Sequence, residues 1–302
     1  MTNSSERHVP VLFKEAIGFL RVRPGGTYVD CTVGMAGHAS GIVRLLGPKG
    51  RLIAFDRDPE AIELAGDRLD RDCEELGSQA PSVTLIDEPF STIARHVKPA
   101  SVDGLLADFG ISGLQLEARR GFSFSADGLL DMRMDPRSGP TAAKVVSELS
   151  ERELADLIYT LGEERRSRRI ARAIAGRVIT STSELAGIVA STAPAMKNDK
   201  IHPAIRKTFQ ALRIYVNREL DEICSLMEAA PKLLKPSARL VVISFHSLED
   251  RIAKDSMREG ARQGIWNILT KKPVTAGAEE LERNPRSHSA KLRAAERTAI
   301  SY

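Results

Sequence analysis

Residues Tyr28 to Asp58, Y-V-D-C-T-V-G-M-A-G-H-A-S-G-I-V-R-L-L-G-P-K-G-R-L-I-A-F-D-R-D, admit few folds. Tyr28 to Thr32 is a β-prone run, and Gly34, Gly37 and Gly41 follow at once. Ile42 to Leu46 is apolar and helix-compatible, Gly47-Pro48 ends it, and Leu52 to Phe55 is a second buried strand closing on Asp56. Strand, glycine-rich loop, helix, strand and carboxylate form the first half of a nucleotide-binding α/β sheet. In such a unit the loop backbone approaches the ligand, and an acid about twenty residues on accepts hydrogen bonds from ribose hydroxyls.

The loop spacing narrows the ligand. A dinucleotide fingerprint, G-x-G-x-x-G, needs its second glycine so that the backbone can meet a diphosphate. Here the string is G-M-A-G-H-A-S-G, with Ala36 in that place, and no G-x-x-x-x-G-K-[ST] occurs in the chain. A ligand with a ribose but no phosphates fits better, and S-adenosylmethionine is the commonest. The plain alternative is a tight turn in an ordinary α/β domain.

Later segments extend the sheet and then interrupt it. Val83 to Ile86 and Val102 to Ala107 are the third and fourth strand candidates, the latter leading into Asp108-Phe109-Gly110. From Ile111 to about Ile205 the β-α alternation stops and the sequence turns polar and helical. A long amphipathic helix follows, roughly Thr208 to Met227. Then come a fifth strand at Arg239 to Phe245, a helix from about Ser247, and β-like segments at Trp266 to Thr270 and Lys291 to Ala295. The pattern is a doubly wound sheet with a helical insertion after its fourth strand, at the carboxyl edge where ligands bind.

Composition excludes several classes. The 302 residues suffice for one large domain or two modest ones. There is no apolar run of about eighteen residues, and M-T-N-S-S-E-R-H lacks the apolar stretch of a signal peptide, so a cytoplasmic protein without a membrane partner is expected. Cys31, Cys73 and Cys224 are scattered and show no C-x-x-C spacing, implying neither a disulfide framework nor a zinc site. Cys31 is expected to be a small buried hydrophobe. The six histidines have no metal-ligand spacing, and no metal is expected.

The net charge of +4 permits a nucleic-acid partner. Its densest source is G-E-E-R-R-S-R-R-I-A-R-A-I-A-G-R, where Arg165, Arg166, Arg168, Arg169, Arg172 and Arg177 surround an apolar stripe of Ile170 and Ile174. The segment reads either as a solvated helix partly neutralised by Glu163 and Glu164 or as a phosphate-contacting surface. Phe122, Phe124 and Phe209 are the nearest aromatics for stacking a base.

These strings together resemble a known family. H-V-P-V-L from His8, G-M-A-G-H, A-F-D-R-D-P, E-P-F-S, L-A-D-F-G-I-S, R-G-F-S-F, D-G-L-L-D-M-R-M-D and G-E-E-R are similar to the RsmH (MraW) family. So are I-H-P-A to T-F-Q-A-L-R-I-Y-V-N, I-S-F-H-S-L-E-D-R, L-T-K-K-P and N-P-R-S-H-S-A-K-L-R-A-A-E-R. Members are bacterial S-adenosylmethionine-dependent methyltransferases that modify the N(4) amine of a cytosine in 16S ribosomal RNA. The resemblance implies a class I, Rossmann-like α/β fold with a mostly parallel seven-stranded sheet. It places the methyltransferase domain at residues 1–111 and 206–302, with an inserted helical substrate-recognition domain at 112–205. It implies S-adenosyl-L-methionine as cofactor and 16S ribosomal RNA or the assembling small subunit as partner, with a homodimer allowed.

Carried over by position, Gly34, Ala36, Gly37 and His38 border the cofactor, Asp56 accepts from its ribose, and Phe90 packs near the adenine. Asp108 lies at the methionine end and Gln115 completes the pocket. The chain departs from the family pattern at Ala36, where the loop usually has glycine, at Gly113-Leu114 in place of Ser-Pro, and by one extra residue in I-H-P-A-I-R-K-T-F-Q.

The chemistry constrains the site independently. A cytosine amine is a poor nucleophile because its lone pair is conjugated with the ring. Attack on a sulfonium methyl therefore needs acceptors at the amine hydrogens and an in-line pose. D-F-G-I stands where many amino-methyltransferases carry N/D-P-P-Y/F, so Asp108 with nearby carbonyls is the candidate acceptor; its plain alternative is to anchor the methionine amino group. His38 is expected to serve the turn and Ser247 to cap the helix after His246, which itself is a lesser substrate candidate; His202 is read as a loop residue. Two rivals are a non-catalytic RNA-binding protein on the same core and a nucleotide-dependent oxidoreductase.

Overall fold

The computed structural model describes residues 10–117, 120–124, 127–192 and 202–300. His8 and Val9 of H-V-P-V-L and Ile201 of I-H-P-A lie outside them. The chain divides into two compact units, one of residues up to Gly110 and from Leu220 onward, the other Ile111–Glu219.

The first unit is built on one seven-stranded sheet of order β3-β2-β1-β4-β5-β7-β6. Its strands are β1 (Thr27–Asp30), β2 (Arg51–Asp56), β3 (Ser82–Asp87), β4 (Val102–Asp108), β5 (Leu234–Ser244), β6 (Trp266–Ile268) and β7 (Lys291–Arg297). Strands β1 to β5 run parallel, and β7 enters antiparallel between β5 and β6. This is the α/β doubly wound, Rossmann-like sheet expected, with the closing hairpin of a class I methyltransferase. Because both faces are covered, the strands are nearly continuous apolar runs whose side chains sort by parity. Val29, Ile53, Phe55, Leu105, Leu240 and Val242 enter one core. Tyr28, Leu52, Ala54, Leu106, Val241 and Ile243 enter the other.

The second core is roofed by α1 (Phe13–Leu20), α2 (Gly37–Leu46) and α3 (Pro59–Leu76), through residues such as Leu20, Ile42, Leu46 and Leu69. The first core is roofed by α4 (Ile93–His96), α11 (Glu219–Leu233) and α12 (Ser247–Arg262), through Ile93, Leu226 and Met257. Between β6 and β7 lies α13 (Ala278–Arg283). Strand β1 pairs with β2 on one side and β4 on the other. The strand order therefore reverses beside β1, and ligands of open α/β sheets bind in the crevice at such a point.

The second unit holds α5 (Gly113–Glu117), α6 (Ala142–Glu148), α7 (Glu151–Gly162), α8 (Ser167–Ile174), α9 (Thr182–Ser191) and α10 (Pro203–Asn217). Its core is Val146, Leu154, Ile158, Ile170, Ile174, Leu185, Val189, Phe209 and Leu212, spaced along each helix at three and four. Helix starts are capped by Thr141, Ser150 and Ser181, with Ser150 and Glu153 forming a reciprocal box. His202 is a cap as well, its Nδ1 accepting the Ala204 N–H at 3.0 Å, rather than a plain loop residue.

Two expectations change here. The single helix over Thr208 to Met227 is two, α10 and α11, because Arg218 turns left-handed at φ 50 and its N–H closes α10 onto Ile214 and Tyr215 carbonyls. That position is occupied by arginine, not glycine, so the amphipathic pattern runs through the break without a signal. The second junction accordingly falls after Glu219 rather than after Ile205, since Phe209, Ala211, Leu212 and Val216 of α10 belong to the helical core.

Candidate active site

Four neighbouring strands each end in an aspartate: β1 in Asp30, β2 in Asp56, β3 in Asp87 and β4 in Asp108. The chain leaves β1 through a loop drawn against these ends. The Cys31 N–H donates to the Leu106 carbonyl at 2.8 Å, and the Val33 N–H to Phe55 at 2.8 Å. Thr32 Oγ1 accepts the Asp108 N–H at 2.7 Å. Asp56 holds the loop itself: one carboxylate oxygen accepts the Gly34 N–H at 2.9 Å and the other the Asp58 N–H at 3.0 Å. Each oxygen keeps a further lone pair for a ligand hydroxyl.

The glycine-rich turn then starts α2. Ala36 is the residue before it, buried and left-handed at φ 57, a conformation that costs an L-residue roughly 1 kcal/mol or more. Gly37 is glycine for another reason, since a Cβ there would stand 3.0 Å from the Pro10 ring. His38 is buried, with Nε2 3.1 Å from the Val11 carbonyl and Nδ1 3.8 Å from Asp108 Oδ2.

Phe90 opens a 3-10 turn after β3, half-buried, its ring tilted against Phe109 at 6.2 Å. Beside it, Glu222 of α11 accepts from the Ser91 N–H and hydroxyl at 3.0 and 2.9 Å and pairs with Arg57 at 2.9 Å. This brace ties the segments carrying Asp56 and Phe90 to one helix. Gln115 belongs to the second unit, buried in α5, where its Oε1 accepts the Ser112 N–H at 3.1 Å.

Electrostatics give the strand ends their character. Burial first, then Asp56, raises the Asp30 carboxyl to about 7, against the one hydrogen bond from the Thr32 N–H. Burial raises Asp56 to about 6 despite its two backbone donors. Asp108 is pushed well above the carboxylate range by burial, then by Asp30 and Glu249. Its Oδ1 is buried without a hydrogen-bond partner among the described residues. Carboxyls in this state favour a ligand that brings positive charge and disfavour one that brings phosphates.

The model of the MraW methylase family matches residues 5–298. The chain belongs to that family. A protein from Acidobacterium capsulatum named ribosomal RNA small subunit methyltransferase H is 65% identical over 294 residues, covering 97% of this chain and 99% of its own. One of the same name from Koribacter versatilis is 55% identical, covering 96% and 94%. Another from Bradyrhizobium diazoefficiens is 46% identical, covering 98% and 93%.

Within this family member, some sequence signals point elsewhere than expected. Phe122, Phe124 and Phe209 are not base-stacking platforms. Phe122 and Phe209 are buried, and Phe124 packs edge-on against Phe209 at 5.8 Å. The exposed aromatic rings of this unit are Tyr159 and Tyr215. Helix α8 is short. Arg168, Arg169 and Arg172 are exposed while Ser167, Ile170, Ala171 and Ile174 are buried; Arg165, Arg166 and Arg177 flank the helix and are also exposed. Glu164 does not serve as their surface counter-charge: it is buried, accepts the Arg166 backbone N–H at 3.0 Å and lies 3.8 Å from Lys207 Nζ.

Helix α12 is capped by His246, not Ser247, with the Glu249 N–H reaching its Nδ1 at 3.4 Å and the Glu249 carboxylate returning to the His246 N–H. Cys31 is buried, as expected. No helix among the described residues is long and apolar enough to cross a membrane.

Sequence reasoning missed Asp30 and the Glu222 brace. Asp30 was legible, because T-Y-V-D, R-L-I-A-F-D, S-V-T-L-I-D and V-D-G-L-L-A-D share one ending. Glu222 was not, being far from Arg57 and Ser91 in sequence.

Proposed function

We propose that this chain transfers the methyl group of S-adenosyl-L-methionine to the exocyclic N(4) amine of a cytidine in 16S ribosomal RNA of the small subunit, in the cytoplasm. The observation that carries this reading is the set of carboxyls at adjacent strand ends, one buried and two partly buried, with Asp108 Oδ1 unpartnered among the described residues. S-adenosylmethionine supplies a sulfonium methyl and an ammonium group, positive charges of the kind these carboxyls lack. A dinucleotide would set a diphosphate against them, which argues against the oxidoreductase reading.

The residues then divide the work. Gly34, Ala36, Gly37 and His38 form the loop wall, Asp56 takes the ribose hydroxyls on its remaining lone pairs, and Phe90 offers an apolar face for the adenine. Gln115 remains a cofactor candidate by its place in the sequence, its Oε1 accepting the Ser112 N–H. Asp108 accepts a hydrogen of the cytosine amine, returning electron density to its nitrogen and receiving the proton as the new C–N bond forms. The region 112–205 recognises substrate in this reading, and the exposed arginines on and beside α8 meet RNA phosphates. The printed names of the relatives support ribosomal RNA of the small subunit as the substrate.

The test is a map of methylated nucleosides in ribosomal RNA from a strain lacking this gene and from the complemented strain. Loss and recovery of N(4)-methylcytosine at one site is the expected result; an identical map refutes the reading. Calorimetry with S-adenosylhomocysteine and NAD separates the rivals, since a degenerate core would bind neither.

A further inference from the structure

His38 is held on several sides. The Val11 carbonyl can only accept, so the ring nitrogen 3.1 Å away, Nε2, carries a hydrogen. The Phe13 ring stacks on the imidazole at 6.0 Å and 21°. The Val11-Leu12 peptide is aimed in turn, because the Leu12 N–H donates to Glu280 of α13 at 2.7 Å while Leu12 sits left-handed at φ 51. This leaves Nδ1 as the nitrogen facing Asp108 Oδ2, at 3.8 Å. Among the described residues, the charged groups bearing on Asp108 from other elements are Asp30 of β1 and Glu249 of α12, both acidic. Arg68 of α3 reaches the loop, but its guanidinium donates to the Met35 carbonyl.

We propose that His38 is a positioning residue that draws the proton of the Asp108 carboxyl onto its Nδ1, so that Asp108 meets the substrate amine as a carboxylate. The proposal rests on the methyl-transfer reading above. In the transfer, the C–N bond forms and the sulfonium C–S bond breaks with its electron pair left on sulfur. The amine proton passes to Asp108. Without the imidazole, a partly buried carboxyl beside two acids holds its proton to higher pH and cannot accept from the amine.

Two measurements test it. The first is nitrogen NMR of histidine-labelled protein saturated with S-adenosylhomocysteine, from about pH 5 to about pH 9. His38 Nε2 should stay protonated throughout, Nδ1 should gain a proton as pH falls, and that gain should move to lower pH in Asp108→Asn. A Nδ1–H, bare-Nε2 tautomer overturns the proposal.

The second is single-turnover methylation by His38→Gln, whose amide can still donate to the Val11 carbonyl. The acidic limb of its rate profile should move up by about one pH unit, a roughly tenfold loss on that limb, with the rate recovering at high pH and the KM for RNA unchanged. A uniform fall at every pH signifies a structural role and overturns the proposal. If His38→Gln fails to bind S-adenosylhomocysteine, the NMR titration of the unaltered residue decides. Full turnover by Asp108→Asn would fault the role given to Asp108 above; an inactive Asp108→Asn with an unmoved limb in His38→Gln removes only the role of His38.

Discussion

The strand-end aspartates and the α8 arginines are two clusters of like charge, and they are built on opposite terms. Asp30 is buried and Asp56 and Asp108 are partly buried; all three are raised toward neutrality, with Asp56 accepting the Gly34 N–H and the Asp108 N–H donating to Thr32 Oγ1. The arginines around α8 stand in solvent, and only Arg172 has a described ion pair, with Glu151 at 3.4 Å. A net charge of +4 conceals this division. Buried charge of one sign selects a small ligand by what it neutralises, whereas exposed charge acts collectively, through screened attraction to a polyanion.

The comparison breaks most decisively at Asp56. Replacing it with alanine frees the Gly34 and Asp58 N–H groups and removes the ribose acceptors. Affinity for S-adenosylhomocysteine should fall about 100-fold, near 3 kcal/mol, with RNA binding retained. Calorimetry and a filter-binding assay check the two halves; a parallel loss of both would mean that the regions are not independent.

Reversing α8 with R168E, R169E and R172E together should do the opposite. RNA affinity should drop by about tenfold or more and the salt slope by about two to three, with S-adenosylhomocysteine affinity unchanged. An unaltered salt slope would return the helix to the status of a solvated face.

A smaller effect follows from pH. Asp30 at about 7 and Asp56 at about 6 are raised above their unfolded values of about 3.9. The stability they contribute to the ligand-free fold is full below about pH 4 and is lost as pH rises through about 6 and about 7. A cationic ligand reverses the sign, so affinity should tighten a few-fold across that window with proton release. The dependence should be steeper for S-adenosylmethionine than for S-adenosylhomocysteine, because only the former carries the sulfonium charge. Calorimetry in buffers of different ionisation enthalpy measures the protons; equal slopes would contradict the electrostatic account.

The smallest expected change is at Ala36. Glycine there relieves the left-handed strain at φ 57 and gives up some unfolded-state advantage, so a net gain of up to about 1 kcal/mol is expected in thermal unfolding. Ligand affinity should stay level. A loss of stability would mean that the buried Ala36 methyl is worth more in packing than its backbone costs.

Much of the sheet was legible because doubly buried strands are short apolar runs with sharp ends, and each end carried its own marker, aspartate or glycine. The insertion was legible only as an interruption. Phe122, Phe124 and Phe209 carry the same side chain whether they stack on a base or fill a helical core, and nothing local distinguishes the two. Arg218 breaks a helix by backbone conformation alone, and His246 displaces the more usual serine as a cap because Glu249 completes a reciprocal pair with it.

The succession of strands along the chain, the glycine loop, Asp56 and Asp108 as ligand candidates, and the family follow from the sequence by itself, since each depends on residue type and local spacing. The shift of three carboxyls, the brace from Glu222 to Arg57 and Ser91, and the approach of His38 to Asp108 were decided only by tertiary structure. Those effects depend on burial and on distances between residues far apart in the chain, which the fold sets through packing.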